Sequence, residues 1–358
     1  MHSTKKQQSI NSMHCSTLIR FLVIFLLIFS SCKKEEKKTS VVTPIETGHT
    51  TLVINEGTYN WGNASLSAIS TLHSRVENDV FTTANNRPLG DVFQSIFPYK
   101  DELWLIVNNS QKIERINSKT FASLGVINNL QSPRYALQVA ENKVYVSDLH
   151  ANAIHIINPQ NGSKTGEIVC PGWTEGMILH NNFAWVCHVR KNKIFIINTS
   201  NDQIADSVQV GDSPTSIVKD KNNNVWVLCE GNLPPNETAG SIWKINGETK
   251  SEIAHFTLAN INNHPKRLQM NKTGDTFYYL NNGVFQVNAD ATELSAAPVI
   301  PENGRLFYGL GIHPTDNSIW VSDAKDFVQN GKVYQYNSTG IEQKNYSVGI
   351  IPAGFYFY

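Results

Sequence analysis

A run of about five apolar residues returns seven times along the chain. The copies are Thr51–Asn55, Leu103–Val107, Val144–Asp148, Ala184–His188, Val225–Cys229, Phe277–Asn281 and Ile319–Asp323. Their central residues stand at 52, 104, 145, 185, 226, 278 and 320, so the steps are 52, 41, 40, 41, 52 and 42. Each run is apolar at nearly every position, without in–out alternation, as expected of a strand covered on both faces. Shorter runs surround each core. In the third copy they are Ser132–Val139, Val144–Ser147, Ala153–Ile157 and Lys164–Val169, divided by Glu141-Asn142-Lys143 and Asn158-Pro159-Gln160-Asn161-Gly162. The fourth copy repeats this with Gly176–Leu179, Ala184–Cys187, Lys193–Ile197 and Ile204–Val210. Asn-Gly-type turns between apolar runs predict antiparallel hairpins, four strands to a unit.

A repeat of this length made of short strands predicts an all-β fold, a seven-bladed β-propeller with four-stranded antiparallel blades. The large residues at the aligned centres, Trp and Tyr in six of the seven copies, then fill the widening gaps between blades. The chain ends explain each other. Thr51–Asn55 reads as the second strand of a unit with no first strand before it. Val348–Tyr358 reads as a first strand after which the chain stops. The N- and C-terminal strands therefore share one blade, close the ring and remove its exposed edges. The propeller is expected over residues 50–358.

The N-terminal segment changes the picture of where this fold works. Lys5, Lys6 and Arg20 precede an almost wholly apolar stretch, Leu18–Phe29, which ends at Ser30-Ser31-Cys32. This is too short for a comfortable bilayer span and reads as a signal peptide over residues 1–31. A small residue before Cys at that place resembles a bacterial lipoprotein cleavage site, with Cys32 as the lipidated first residue; the plainer alternative is a cleaved secretory peptide. Residues 32–49, opening with Lys33-Lys34-Glu35-Glu36-Lys37-Lys38, read as a solvated, flexible tether. The charges of the whole chain cancel, 30 Lys and Arg against 30 Asp and Glu, which removes a general electrostatic reason to bind nucleic acid. Cys170, Cys187 and Cys229 have no metal-type spacing and read as buried thiols rather than a disulfide framework.

In a propeller the loops after the second strands and the starts of the first strands share one face. Three of those loops are long here: 55–63, 230–240 and 323–331. Aligned strand starts place Gln94, Tyr135, Glu175, Ser216, Arg267, Tyr308 and Gly354 around the tunnel mouth, with Arg134, Trp173, Arg305 and Phe307 beside them. The loops add Glu56, Tyr59, Trp61, His188, Arg190, Glu230 and Phe327. Arg and aromatic side chains are common anchors of recognition sites, so this face is the candidate ligand-binding surface. Catalytic signatures are thin: Gly-x-Ser-x-Gly, His-Glu-x-x-His and a phosphate-cradling Gly-rich loop are all missing from the sequence. Asp148, His150, His188 and Glu230 share neighbouring loops, but loop His and Asp are more often solvated than metal-bound. No catalytic residue, metal ligand or cofactor is assigned.

Lys143–Asp148, Ile154–Asn158 and Gly211-Asp212-Ser213-Pro214 resemble the YVTN/YncE-like propeller family. Asn55-Glu56-Gly57, Asn63–Ser67 and Asn86–Ile96 resemble Bacteroidota surface lipoproteins of the DUF5074 type. That set includes the BtuG-type proteins, which capture cobalamin at the cell surface and hand it to a TonB-dependent outer-membrane transporter. Lys34-Glu35-Glu36, just after Cys32, resembles the signal that sends such lipoproteins to the outer cell face. The resemblance implies a non-enzymatic binder, lipid-anchored in the outer membrane and facing the exterior, with a corrinoid as ligand. A glycan would suit the same aromatic and amide chemistry. A lactonase-like hydrolase using Glu56, Glu175 and Glu230 with Arg267, and a protein-interaction scaffold, are the remaining readings.

Overall fold

The structure, a computed structural model, describes residues 45–358. The expected signal peptide, the lipidation site Cys32 and the tether as far as residue 44 lie outside the described residues. Within them the chain forms seven four-stranded antiparallel sheets arranged as the blades of one propeller. The innermost strands are Pro352–Phe357, Phe93–Tyr99, Pro133–Ala140, Thr174–His180, Pro214–Lys219, Lys266–Met270 and Phe307–Ile312, and each packs beside the next around a central channel. The seven apolar runs are the second strands, and they are buried at nearly every position.

Each gap between blades holds its own apolar cluster. Trp104 of the second blade packs with Val144 and Val146 of the third, and Tyr145 with Ala184 and Val186 of the fourth. Trp185, Trp226, Tyr278 and Trp320 do the same at the following gaps, the last against Val53 of the first blade. The aromatic centres are therefore structural, as the sequence indicates. Buried indole N–H groups find partners: Trp226 Nε1 donates to Asp220 Oδ2 at 2.9 Å and Trp320 Nε1 to Ser318 Oγ at 3.1 Å.

The gap between the first and second blades is different, because its aligned centre is the smaller Leu52. A short helix absent from the sequence reading, α1 (Val80–Asn85), supplies the missing volume by burying Val80 and Phe81 beside Leu52, Leu103 and Leu105. Its end is tied to the second blade. Asn85 Nδ2 donates to Phe121 O at 2.9 Å, and the Ser123 amide donates to Asn85 Oδ1 at 2.7 Å. Arg87 then reaches the fully buried Glu114 at 2.6 Å. This insertion accounts, with loop 55–63, for the longer first step of the repeat. Loop 230–240 lengthens the step between the fifth and sixth blades.

Ring closure follows the expected topology, with one correction of boundary. Pro352–Phe357 pairs antiparallel with Thr50–Asn55, from Asn55↔Pro352 to Thr51↔Phe357. Val348, Gly349 and Ile350, expected in this strand, instead end the outermost strand of the seventh blade, Glu342–Ile350. Ile351 lies between them at φ 53°, a left-handed conformation that forces a corner and that a β-branched residue rarely adopts. A second correction concerns the tether, whose last residues are anchored. The Gly48 amide donates to Tyr358 O at 2.9 Å, the Glu46 amide to Thr50 Oγ1 at 3.0 Å, and Ile45 packs on the first core cluster.

Candidate functional site

In all seven blades the start of the innermost strand pairs with the end of the second strand, so these ends and the loops beyond them share one face. At that point every blade carries a β-bulge, one residue more on the innermost strand than on its partner. The bulged segments are Gln94, Arg134-Tyr135, Glu175-Gly176, Thr215, Arg267-Leu268, Tyr308-Gly309 and Ala353. A bulge breaks the alternation of side chains and re-aims the extra one. Here it turns side chains into the tunnel mouth. The second strand compensates part of the lost ladder: Ser147 Oγ accepts from the Tyr135 amide at 3.1 Å and Ser322 Oγ from the Gly309 amide at 2.7 Å. Arg267 sits at φ 59° and Val92 at φ 56°, left-handed conformations that neither side chain favours, so the mouth includes strained backbone.

The mouth holds a cavity of about 250 Å³ lined by Glu56, Val92, Gln94, Arg134, Tyr135, Trp173, Glu175, Thr215, Ser216, Glu230, Lys266, Arg267 and Tyr308. Gln94, Tyr135, Thr215, Ser216 and Arg267 also line the channel below, about 430 Å³, whose walls are the innermost strands. A hydrogen-bonded chain runs around the rim. Trp173 Nε1 donates to Glu175 Oε1 at 2.6 Å, and Arg134 Nε donates to the same oxygen at 2.7 Å. Arg134 Nη1 donates to Gln94 Oε1 at 2.5 Å, and Gln94 Nε2 to Tyr135 Oη at 3.2 Å. Opposite them, Tyr308 Oη donates to Glu56 Oε2 at 2.9 Å, Arg267 Nη2 approaches Glu56 Oε1 at 3.5 Å, and the Arg267 guanidinium lies 5.3 Å from the Tyr308 ring centre.

Burial dominates the electrostatics. It raises the Glu175 carboxyl above its ordinary value even though Arg134 and Trp173 stabilise the charged form. It raises Tyr135, with Glu175 adding to the shift, and it raises Tyr308, with Glu56 adding. Burial works to lower Arg267, but Tyr135, Glu56, Tyr308 and Glu230 outweigh it, so this guanidinium stays charged.

Ten of the eighteen expected face residues line the cavity together: Glu56, Gln94, Arg134, Tyr135, Trp173, Glu175, Ser216, Glu230, Arg267 and Tyr308. The other eight, Gly354 of the channel wall among them, do not line it. Tyr59 and Trp61 are 66% and 73% exposed on loop 55–63, outside the cavity. Phe327 is half-exposed above the rim, with its ring 5.6 Å from that of Tyr308, and its carbonyl accepts from Thr58 Oγ1 at 3.3 Å. Arg190 is exposed within a single 3-10 turn, Val189–Lys191. His188 is fully buried, with Nε2 3.0 Å from Pro171 O, and it reaches no ligand face. Asp148 is likewise not a solvated loop acid. Its carboxylate accepts from the amides of Ser132, His150 and Ala151 and meets His155 Nε2 at 3.1 Å, so it ties the turn together. Val92, Thr215 and Lys266 are lining residues that the sequence does not single out: Thr215 is the bulged residue next to Ser216, and Val92 and Lys266 stand just before the positions aligned at their strand starts. Arg305 and Phe307 do not line the cavity; Arg305 packs on Tyr334, 3.8 Å from the ring centre, and pairs with Glu342 at 2.9 Å. Cys170, Cys187 and Cys229 are buried free thiols, and burial pushes Cys170 up to about 12. Among the described residues no cluster of His, Cys, Asp or Glu suited to a metal ion occurs, and no helix is long and apolar enough to cross a membrane.

Solved structures share the fold at low identity. A quinonprotein alcohol dehydrogenase-like protein from Bacteroides thetaiotaomicron is 14% identical, with 87% of this chain and 78% of that chain covered and a TM-score of 0.69. A protein from Lactobacillus plantarum is 14% identical, covering 87% and 99%, with a TM-score of 0.66. Apo AztD from Citrobacter koseri is 11% identical, covering 87% and 98%, with a TM-score of 0.55. Identities this low speak for the fold alone. No curated protein matches the chain. Residues 49–358, the whole propeller, match the domain of unknown function DUF5074, and the chain belongs to that family.

Proposed function

We propose that this propeller is a cell-surface binding protein that captures an amphipathic ligand on the tunnel-mouth face, a corrinoid such as cobalamin, and passes it to a TonB-dependent outer-membrane transporter. The observation that carries the reading is the convergence of bulged strand starts from six blades on one mouth, beside a rim that exposes Tyr59, Trp61 and Phe327. Flat aromatic surface next to fixed amide, guanidinium and carboxylate groups suits a large disc with an apolar face and polar edges. The cavity of about 250 Å³ falls just below the range of about 300–1,000 Å³ typical of drug-sized ligands. A corrinoid would therefore lie across the face and send only a polar arm into the mouth. The rigid ring limits the ordering cost of binding.

Binding is favoured over a lactonase-like hydrolysis because two of the three mouth carboxylates are held in ion pairs. Glu175 serves Arg134 and Trp173, and Glu56 serves Tyr308 and Arg267, which leaves Glu230 without a second free carboxylate to act with. The lipid anchor and outward address rest on the N-terminal sequence. The test uses the soluble chain from Lys33 onward, mixed with cyanocobalamin at micromolar concentration and passed over a gel-filtration column. Co-elution of the red chromophore with protein is the expected outcome, reduced in Tyr59→Ala/Trp61→Ala. Elution of all the dye at small-molecule volume rejects the corrinoid and leaves glycans, to be tested on an oligosaccharide array, and protein partners.

A further inference from the structure

Six charged side chains line the mouth cavity, three acidic and three basic: Glu56, Glu175, Glu230, Arg134, Lys266 and Arg267. Four of them satisfy one another across the ring. Arg134 pairs with Glu175 at 2.7 Å and Arg267 with Glu56 at 3.5 Å. The remaining two do not pair with each other or with any other charged group among the described residues. Lys266 begins the innermost strand of the sixth blade and is exposed. Glu230 follows the second strand of the fifth blade; its Oε1 accepts from Thr215 Oγ1 at 2.9 Å. The Glu230 backbone is fixed, its amide donating to Ser213 O at 2.9 Å and its carbonyl lying 2.9 Å from His264 Nδ1. Lys266 and Glu230, from adjacent blades and with no ion pair to either, thus line one cavity, where Glu230 adds its field to that of Glu56 at Arg267.

We infer that the mouth cavity binds a small zwitterion, a molecule carrying both a carboxylate and an ammonium group, of the size of a free amino acid. Its carboxylate meets Lys266 and its ammonium meets Glu230. A simple anion would gain Lys266 but meet Glu230, and a simple cation the reverse, so only a ligand bearing both charges is favoured at both ends. The cavity, about 250 Å³, lies below the range of about 300–1,000 Å³ typical of drug-sized ligands and so suits a molecule of amino-acid size. The two internal pairs need no rearrangement, because each is already closed. The inference rests on the mouth being a ligand site; it does not require the ligand of the wider face to be a corrinoid.

The chain from Lys33 onward is screened by thermal shift against the twenty free L-amino acids at millimolar concentration. The best is then titrated by calorimetry beside its N-acetyl and C-amide derivatives. At least one free amino acid is expected to raise Tm, and each single-charge derivative to bind about tenfold more weakly or worse. Lys266→Gln and Glu230→Gln are each expected to weaken the zwitterion by about tenfold or more, the effect of losing one charge-assisted hydrogen bond. Their ligand-free melting serves as the control for folding. No binding by any of the twenty, equal binding of the derivatives, or unchanged affinity in both variants overturns the inference. Cyanocobalamin run on the same sample separates the two proposals: dye bound without any amino acid sinks this one alone, and the converse sinks the corrinoid alone.

Discussion

Arg134 and Glu175 show how much of the mouth is decided residue by residue. Their side chains are 18% and 2% exposed, so the pair is nearly out of water. Breaking such a pair from one side strands a buried charge and costs about 3–5 kcal/mol, whereas replacing both partners by apolar residues is often close to neutral. Arg134→Ala is therefore expected to lose about 3–5 kcal/mol in urea unfolding, and Arg134→Met combined with Glu175→Leu to recover most of it. Equal losses in the single and double variants would contradict the buried-pair account. The pH dependence has a definite sign. Burial raises the native Glu175 carboxyl above 4.5, so between 4.5 and the native value the folded protein holds a proton that the unfolded chain releases. This residue's contribution to stability therefore falls as pH rises through that window. Glu175→Gln should flatten this part of the stability–pH curve, and a curve parallel to wild type would refute the assignment. Asp148 acts in the opposite sense. Burial would raise it, but the bonds from His155 and the turn amides hold it below 3.8, so its contribution is lost as pH falls below that value.

At the scale of elements, the second strands were legible from their uninterrupted apolar runs and the hairpins from their Asn- and Gly-rich turns. Two features were not. The helix α1 has six residues, starts at Asp79 without a side-chain cap bond, and is too short for a 3.6-residue period to show. Its role depends on volume: Phe81 fills the gap left by Leu52 where other blades place Trp or Tyr. Phe81→Ala is expected to cost about 3–5 kcal/mol, the loss for a fully buried aromatic side chain, although the helix lies outside the blades. A change below about 1 kcal/mol in denaturant unfolding would show that the gap collapses without it. The bulges were the second hidden feature. A bulge adds one residue to a strand without altering its composition, so repeat spacing picks out Gln94, Tyr135, Glu175, Arg267 and Tyr308 but places Ser216 where the bulge puts Thr215.

The whole molecule is a ring, and its stability depends on the last strand joining the first. Pro352–Phe357 supplies the innermost strand of the first blade, and its Phe355 and Phe357 pack against the Trp320 cluster of the seventh. Removing residues 352–358 would open the ring and expose the unpaired edge of Thr50–Asn55. The truncated chain is expected to elute as aggregate or to lose its cooperative melting transition. A monomer melting at the wild-type temperature would mean that six blades hold without closure.

The sequence alone determined the strand repeat, the blade count, the shared closing blade and the face on which strand starts and long loops gather. These follow from local apolar periodicity and turn chemistry, which every copy carries within its own 40 or so residues. The tertiary structure decided which side chains meet. Arg134 lies 41 residues from Glu175 and Arg267 lies 211 from Glu56, and no local pattern encodes those pairings. They arise because the bulges of six blades and the loop of the first turn side chains from separate blades toward one axis, where Arg134 closes on Glu175 and Arg267 on Glu56 while Lys266 and Glu230 make no ion pair.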